Sequence, residues 1–327
     1  MRAVVAHAFG PPESFAIEEL PTPEPGPGEV RIAVRRVGVS FVDVLTAAGG
    51  YQLKPALPFT PGTEYCGVID KLGEGVTRLK LGDKVSASGL VGSMCEYTVV
   101  PEAGPLKLPP AMTFEDGAVF RVSYATSYYA LVQRGQLQPG ETVLVLGAAG
   151  AVGIAAIQIA KALGAKVIAA ASSEAKRALT LKAGADHAVD NRAADYRDRL
   201  KALTDNKGVD VVVDPVGGPA TEAAFRSLGW KGRHLVIGFA AGEIPRLPVN
   251  LALLKGADLR GVDIRQFGIF EPETSAANIQ AVLALYEQGK LKPMIARRYP
   301  FAQFAEAMQT VAKGELAGRV VLEVSEG

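Results

Sequence analysis

Residues 142–164 read TVLVLGAAGAVGIAAIQIAKALG, and the order of the three parts decides the architecture of the chain. Thr142–Leu146 is a short apolar run of strand length. GAAGAVG, residues 147–153, spaces small residues through a turn, and the apolar stretch that follows is long enough for three helical turns. A strand that turns through glycines into a helix carries backbone amides to the helix N-terminus. There the unpaired N–H groups and the helix dipole attract an anion such as the pyrophosphate of a dinucleotide. On the G-x-G-x-x-G template Ala148 takes the first position, and Gly150 and Gly153 keep the other two. The expected diphosphate contacts are the backbones of Ala149, Gly150, Ala151 and Val152. A glycine pattern alone is weak, but a second apolar strand, at 166–170, follows directly. That context favours a dinucleotide site over a plain structural turn.

Working outward, EAKRALTLKAG (174–184), VDVVVD (209–214), a helix-like stretch at 219–228 and RHLVIG (233–238) continue the alternation. Continuous apolar strands between helices predict a parallel sheet covered on both faces. Upstream of residue 115 the texture differs: β-rich runs at 30–39, 67–72 and 97–100 are separated by Pro and Gly clusters such as PTPEPGPGE (21–29). After Gly261 the character is mixed again, with helices expected at 273–288 and 302–313 and a last strand at 319–324. We assign this tail to the first domain. The expected organisation is α/β, with a β-rich domain of residues 1–118 completed by 262–327 and a doubly wound parallel-sheet domain of residues 119–261.

The end of the strand after the glycine turn selects between cofactors. NAD-dependent proteins usually carry Asp or Glu there, hydrogen-bonded to the ribose 2′-hydroxyl. Here the chain reads AAASSEAKR (169–177), with no acid at Ala171 or Ser172 and with Lys176 and Arg177 close by. A 2′-phosphate would be repelled by a carboxylate and held by a hydroxyl and cations, so NADPH is the expected cofactor. The alternative, Lys176 and Arg177 as a solvated helix face, stays open, as does the part played by Glu174.

Composition excludes other classes. Lys and Arg number 35 against 34 Asp and Glu, with no long basic run, so no nucleic-acid partner is expected. The N-terminus lacks a continuous apolar segment and no later run is of membrane-spanning length, so no membrane partner and a cytoplasmic location are expected. Cys66 and Cys95 are the only cysteines. They are too few for a four-cysteine zinc lobe or a disulfide framework, and both are expected to be reduced and buried.

Several ordered blocks run almost end to end: GVSFVDVL (38–45), LPFTPGTEYCGVI (57–69), GDKV (82–85), YATSYYALV (124–132), LQPGETVLVLGAAGAVG (137–153), DPVGG (214–218), GFAAGEIP (238–245) and GRVVL (318–322). On these the chain resembles the medium-chain dehydrogenase/reductase superfamily, in its quinone oxidoreductase, or zeta-crystallin-like, branch. The resemblance implies a GroES-like β-rich catalytic domain made from both chain ends and a Rossmann domain inserted in it. Zinc-dependent relatives hold a catalytic metal with a Cys in the first block and a His in the second. This chain has Ser40 and Phe41 in the one and Thr63 in the other, which supply no zinc ligand, so no metal is expected.

The resemblance also implies roles for single residues. Ser40 stands where the branch more often carries an Asn near the nicotinamide and substrate; a satisfied turn hydroxyl is the competing reading. Tyr51 matches a tyrosine whose phenol binds or protonates the substrate carbonyl, with a packing role or a water donor as alternatives. Thr126 matches a contact to the nicotinamide half of the cofactor, against a helix cap. Gly238 and Phe239 follow an apolar strand in a loop that lies on the nicotinamide in similar proteins. Asn191, where the branch often has a Tyr whose aromatic contact is lost here, and Arg192 join Ser172 and Lys176 as residues expected around the 2′-phosphate, and Arg319 takes the place of a common Lys near the cofactor, with a strand-edge cation as the alternative. Without a Lewis acid, the expected substrates are those that accept hydride readily, a quinone or an α,β-unsaturated carbonyl. An enoyl-thioester reductase and a non-catalytic NADPH-binding or sensor protein are the alternatives. A homodimer joined at sheet edges near 260–264 is expected by analogy.

Overall fold

The computed structural model describes residues 1–325, which open with an antiparallel ladder of β1 (Arg2–Val5) and β2 (Ala16–Glu19). Next come β3 (Glu29–Val39), α1 (Phe41–Ala47), β4 (Glu64–Leu72), β5 (Lys84–Ser88), β6 (Tyr97–Pro101), β7 (Leu106–Lys107) and α2 (Phe114–Tyr129). Along β3 every second residue from Val30 to Val34 is buried, because one face of the pleat meets the core and the other does not. β3 pairs antiparallel with β4, β6 and the C-terminal strand. It is the spine of a seven-stranded sheet whose core includes Val30, Ile32, Val34, Phe59 and Ile69. These elements form one unit, Met1–Val122, together with the chain from Pro293 onward.

The other unit, Ser123–Lys292, contains β8 (Thr142–Val145), α3 (Ala151–Ala162), β9 (Lys166–Ala170), α4 (Glu174–Lys182), β10 (His187–Val189), α5 (Tyr196–Leu203), β11 (Val209–Asp214), α6 (Pro219–Arg226), β12 (Leu228–Val236), α7 (Asn250–Lys255), β13 (Asp258–Gly261), α8 (Ile264–Phe270) and α9 (Pro272–Glu287). Six parallel strands lie in the order β10-β9-β8-β11-β12-β13. Consecutive residues of β8, β9 and β11 are buried, as strands covered on both faces must be. The chain leaves β8 to one side and returns to its other side, so the strand order reverses between β8 and β11. Open α/β sheets bind ligands at such a switch point, beyond the carboxyl ends of the strands. The chain then closes the first unit with β14 (Ile295–Pro300), α10 (Phe304–Lys313) and β15 (Arg319–Glu323), and β15 lies beside β3.

The fold departs from the expected boundaries in two places. Residues 262–292 belong with the parallel-sheet unit and 119–122 with the other. The reason is local anchoring: Phe267 stacks on Tyr129 at 3.9 Å, Gln133 and Asn278 exchange two amide hydrogen bonds, and Arg134 donates to the Gly261 carbonyl. The strand expected at 233–238 begins earlier, at Leu228, because Val209 pairs with Leu228 before an irregularity resets the register to Val211 with Arg233. Glycines 229 and 232 in that stretch disguise it as a turn. Among the described residues no helix is long and apolar enough to cross a membrane.

Candidate functional site

The glycine turn after β8 takes the geometry that an anion site requires, with one reassignment. The left-handed residue is Gly147, at φ +54°, one position before the Ala148 that the template put first. Gly153 is needed for close approach: a Cβ there would stand 2.5 Å from the Gly147 carbonyl oxygen and 2.6 Å from the Ala148 Cα. Helix α3 starts at exposed Gly150 with no side-chain cap. Of the expected contacts, the Gly150 amide is spent inside the turn on the Gly147 carbonyl at 2.9 Å. The amides of Ala149, Ala151 and Val152 have no acceptor among the described residues. A dinucleotide pyrophosphate fits this uncapped start.

At the ends of β9 and β10 the structure gathers the residues expected around a 2′-phosphate. Ser172 is half-buried just past β9, Ser173 caps α4, and Lys176 lies in the first turn of that helix. Asn191, half-buried with its Oδ1 lacking a partner, and exposed Arg192 follow β10. Sequence reading did not foresee what ties the two strand ends together. Arg177 reaches the Asp190 carboxylate at 3.0 Å and the Ala171 carbonyl at 3.2 Å. The Arg192 amide and Arg177 hold the Asp190 carboxyl below its ordinary range. Glu174 is exposed and opens α4.

The loops after β11 and β12 are organised by Asp214, the buried last residue of β11, whose role no local sequence pattern announces. Its Oδ1 accepts from the amides of Val216 and Gly217, and its Oδ2 accepts from Thr221 Oγ1 and stands 3.0 Å from His234 Nε2. Burial alone would raise this acid, but the bonds from His234, Gly217 and Thr221 outweigh it and hold the group below the ordinary carboxylate range. Pro215 and Val216 carbonyls then accept from Ala240 and Ala241. Gly238 and Phe239 sit where expected, in this loop, and Phe239 packs over Gly217 while remaining 40% exposed. Val216 touches Gly147, so the first turn of the sheet and this loop border one edge. Thr126 is buried in the last turn of α2, which removes the cap reading. Its neighbours Tyr124 and Ser127 bond Gln158 and the Val152 carbonyl of α3.

In the other unit, pairing of β3 with both β4 and β15 brings together residues far apart in sequence: Ser40 after β3, Thr63 and Glu64 at the start of β4, and Arg319 at the start of β15. Ser40 is the N-cap of α1 in a reciprocal capping box with Asp43. The turn-hydroxyl reading of Ser40 therefore holds, and any catalytic role must use a hydroxyl already bonded to Asp43 at 2.8 Å and standing 3.4 Å from Thr63 Oγ1. Arg319, at the start of β15, is 8% exposed, and its Nη2 stands 3.5 Å from Glu64. Burial pushes the Asp43 acid up against the opposing effects of Ser40, Thr63 and Arg319. Burial also pushes Glu64 up to about 7 against the pull of Arg319 and the Val122 amide. Tyr51, half-buried beyond α1, makes no hydrogen bond among the described residues. Cys66 and Cys95 are buried and unpaired, and burial pushes both thiols up to about 12. No three His, Cys, Asp or Glu side chains converge as a metal-binding group among the described residues.

Two family models match the chain: an alcohol dehydrogenase GroES-like domain over residues 26–110 and a zinc-binding dehydrogenase domain over residues 151–282. A quinone oxidoreductase-like protein 2 homolog of Nematostella vectensis is 35% identical over 99% of this chain and 89% of its own length. Human quinone oxidoreductase is 34% identical over 98% of this chain and 97% of its own. The crystal structure of Escherichia coli quinone oxidoreductase complexed with NADPH superposes with a TM-score of 0.91 at 28% identity, covering 99% of this chain and 100% of that one. With the GroES-like and Rossmann-like units both present, the chain belongs to the medium-chain dehydrogenase/reductase superfamily, in its quinone oxidoreductase, zeta-crystallin-like branch, and is a nicotinamide-dinucleotide oxidoreductase by that membership.

Proposed function

We propose that this protein uses NADPH to reduce a quinone or an α,β-unsaturated carbonyl compound. The observation that carries the reading is the pair Ser40 and Thr63, whose hydroxyls face each other at 3.4 Å where zinc-dependent relatives place metal ligands. Hydroxyls of this kind give no ligand set for a Lewis acid, so the acceptor must be one that takes hydride without metal activation. When bound, the dinucleotide supplies that hydride from its nicotinamide. The amides of Ala149, Ala151 and Val152 hold its pyrophosphate, and the Thr126, Gly238 and Phe239 segments hold its nicotinamide half. Ser172, Lys176, Asn191 and Arg192 receive the 2′-phosphate, with Arg177 kept in place by Asp190. Tyr51, whose phenol is uncommitted, binds the acceptor oxygen beside Ser40.

The test is NADPH absorbance followed with a panel of quinones, enones and a crotonyl thioester. Turnover with quinones or enones above the thioester is expected, and inertness of both classes in a protein that binds NADPH would remove the catalytic half of the reading. We also infer a homodimer joined at β13. This strand ends the sheet with an open edge, and Leu259 is 54%, Leu254 69% and Leu253 81% exposed in and just before it, an apolar surface of the kind that partner chains cover.

A further inference from the structure

We propose that Asp43 stores the proton that acceptor reduction consumes and that Ser40 hands it over. This rests on the reading that a carbonyl acceptor binds beside Ser40. Asp43 is 1% exposed. Its Oδ2 receives the Ser40 amide at 2.6 Å and lies 2.8 Å from Ser40 Oγ, while its Oδ1 is buried with no hydrogen-bond partner among the described residues. An ionised carboxylate accepts at both oxygens, and a bare buried oxygen carrying half a negative charge is costly. The charged groups around it do not repair this. From β15 the Arg319 guanidinium is engaged with Glu64, and its Nε and Nη2 make no hydrogen bond among the described residues. Thr63, just before β4, brings a hydroxyl that favours the ionised Asp43, β4 brings the like-charged Glu64, and Arg121 of α2 acts on Glu64. Arg319 and Arg121 both act on Glu64, while Asp43 has only the more distant pull of Arg319 and no ion pair among the described residues, so of the two carboxyl groups Asp43 is the less compensated for ionising. Burial acting on Asp43 works in the same direction.

Protonation reverses the Ser40–Asp43 bond. Asp43 then donates to Ser40 Oγ, and the hydrogen of the Ser40 hydroxyl is released from Asp43 to point at an acceptor oxygen. As that oxygen gains negative charge from the hydride of the reduced dinucleotide, its new O–H bond forms with the Ser40 hydrogen. Ser40 Oγ in turn takes the hydrogen of Asp43, whose O–H bond breaks to leave a carboxylate. Ser40 is half-buried rather than sealed, so water reprotonates Asp43 through the same hydroxyl after product leaves. The net change is one hydride from the dinucleotide and one proton from water.

Infrared spectroscopy of the protein without cofactor tests the first half. At neutral pH a protonated-carboxyl C=O band, shifted by deuterium oxide, is expected in Glu64→Gln, where Glu64 no longer contributes a band of its own, and is expected to vanish in the Glu64→Gln Asp43→Asn double variant; in the wild-type background Asp43→Asn should remove the part of the band that is not due to Glu64. Absence of a band that Asp43→Asn removes overturns the proposal, whether or not the protein reduces any acceptor. Kinetics test the second half. Asp43→Asn and Ser40→Ala should each lower kcat with an enone about a hundredfold, the low end of a general-acid contribution, with NADPH affinity retained. Asp43→Asn should also abolish the fall of kcat at high pH and reduce the solvent deuterium isotope effect. Because both variants disturb the cap of α1, their circular dichroism and thermal unfolding are measured alongside. Folded variants with an unchanged pH profile and isotope effect overturn the relay, even if quinone or enone reduction stands.

Discussion

Gly153→Ala isolates the contact between the glycine turn and helix α3. Alanine is the better helix former by about 1 kcal/mol, so helix propensity alone predicts a more stable protein. The structure predicts the reverse. The new methyl would lie 2.5 Å from the Gly147 oxygen, 2.6 Å from the Ala148 Cα and 2.7 Å from the Ala148 carbonyl carbon, all backbone atoms that cannot rotate aside. Reaching the 3.4 Å at which ordinary contact begins needs a shift of roughly 0.9 Å between turn and helix. Overpacking of this kind costs about 1–3 kcal/mol, and rigid neighbours place it near the top, so a net loss of about 2 kcal/mol remains. The same shift displaces the open amides of Ala151 and Val152. Losing one hydrogen bond to a charged group, about 1.5–3 kcal/mol, weakens NADPH binding roughly ten- to a hundredfold. Urea unfolding and a titration of NADPH fluorescence read the two effects. A variant as stable as the parent that binds NADPH equally well would refute the argument that this glycine is dictated by close approach.

Lys176→Ala should weaken NADPH by about tenfold, the scale of one charge-assisted contact, and leave NADH nearly unchanged, as calorimetry with both dinucleotides would show; equal losses contradict the 2′-phosphate assignment. Glu64 supplies a pH dependence of stability. Its folded-state value, about 7 against 4.5, means that the native state binds more protons between those pH values, so its contribution to stability falls as pH rises from about 4.5 to 7. The loss is of order 3 kcal/mol, and Glu64→Gln should remove it from the difference between urea unfolding curves at pH 5 and pH 8. Leu259→Lys on the β13 edge should move the sedimentation coefficient from dimer to monomer, and an unchanged value would place the contact between copies elsewhere.

The parallel-sheet unit was legible because its signals are local. TVLVL, KVIAA and VDVVVD are runs rich in apolar residues, and Gly147, Gly150 and Gly153, from the turn into α3, lie within seven residues of each other. The pattern broke where register rather than composition decides: Gly229 and Gly232 hide the start of β12, whose pairing with β11 resumes only after an irregularity. The tail was misassigned because residues 262–292 carry no periodic feature that says which unit they join. Stacking of Phe267 on Tyr129 and the Gln133–Asn278 pair answer that, across more than a hundred residues of chain.

By itself the order of residues determined the strand–turn–helix, the loss of metal-ligand side chains at positions 40 and 63, and the absence of an acid at the end of β9, since each is a matter of residue type at short spacing. Only the tertiary structure decided that Gly147 takes the left-handed conformation, that Arg177 is tied to Asp190, and that Arg319 lies buried against Glu64 while Asp43 has no ion pair among the described residues. Pairing of β3 with β4 and β15 collects those carboxyl groups and the guanidinium from three separate parts of the chain. Burial then sets their charges, and burial is a property of the packed whole.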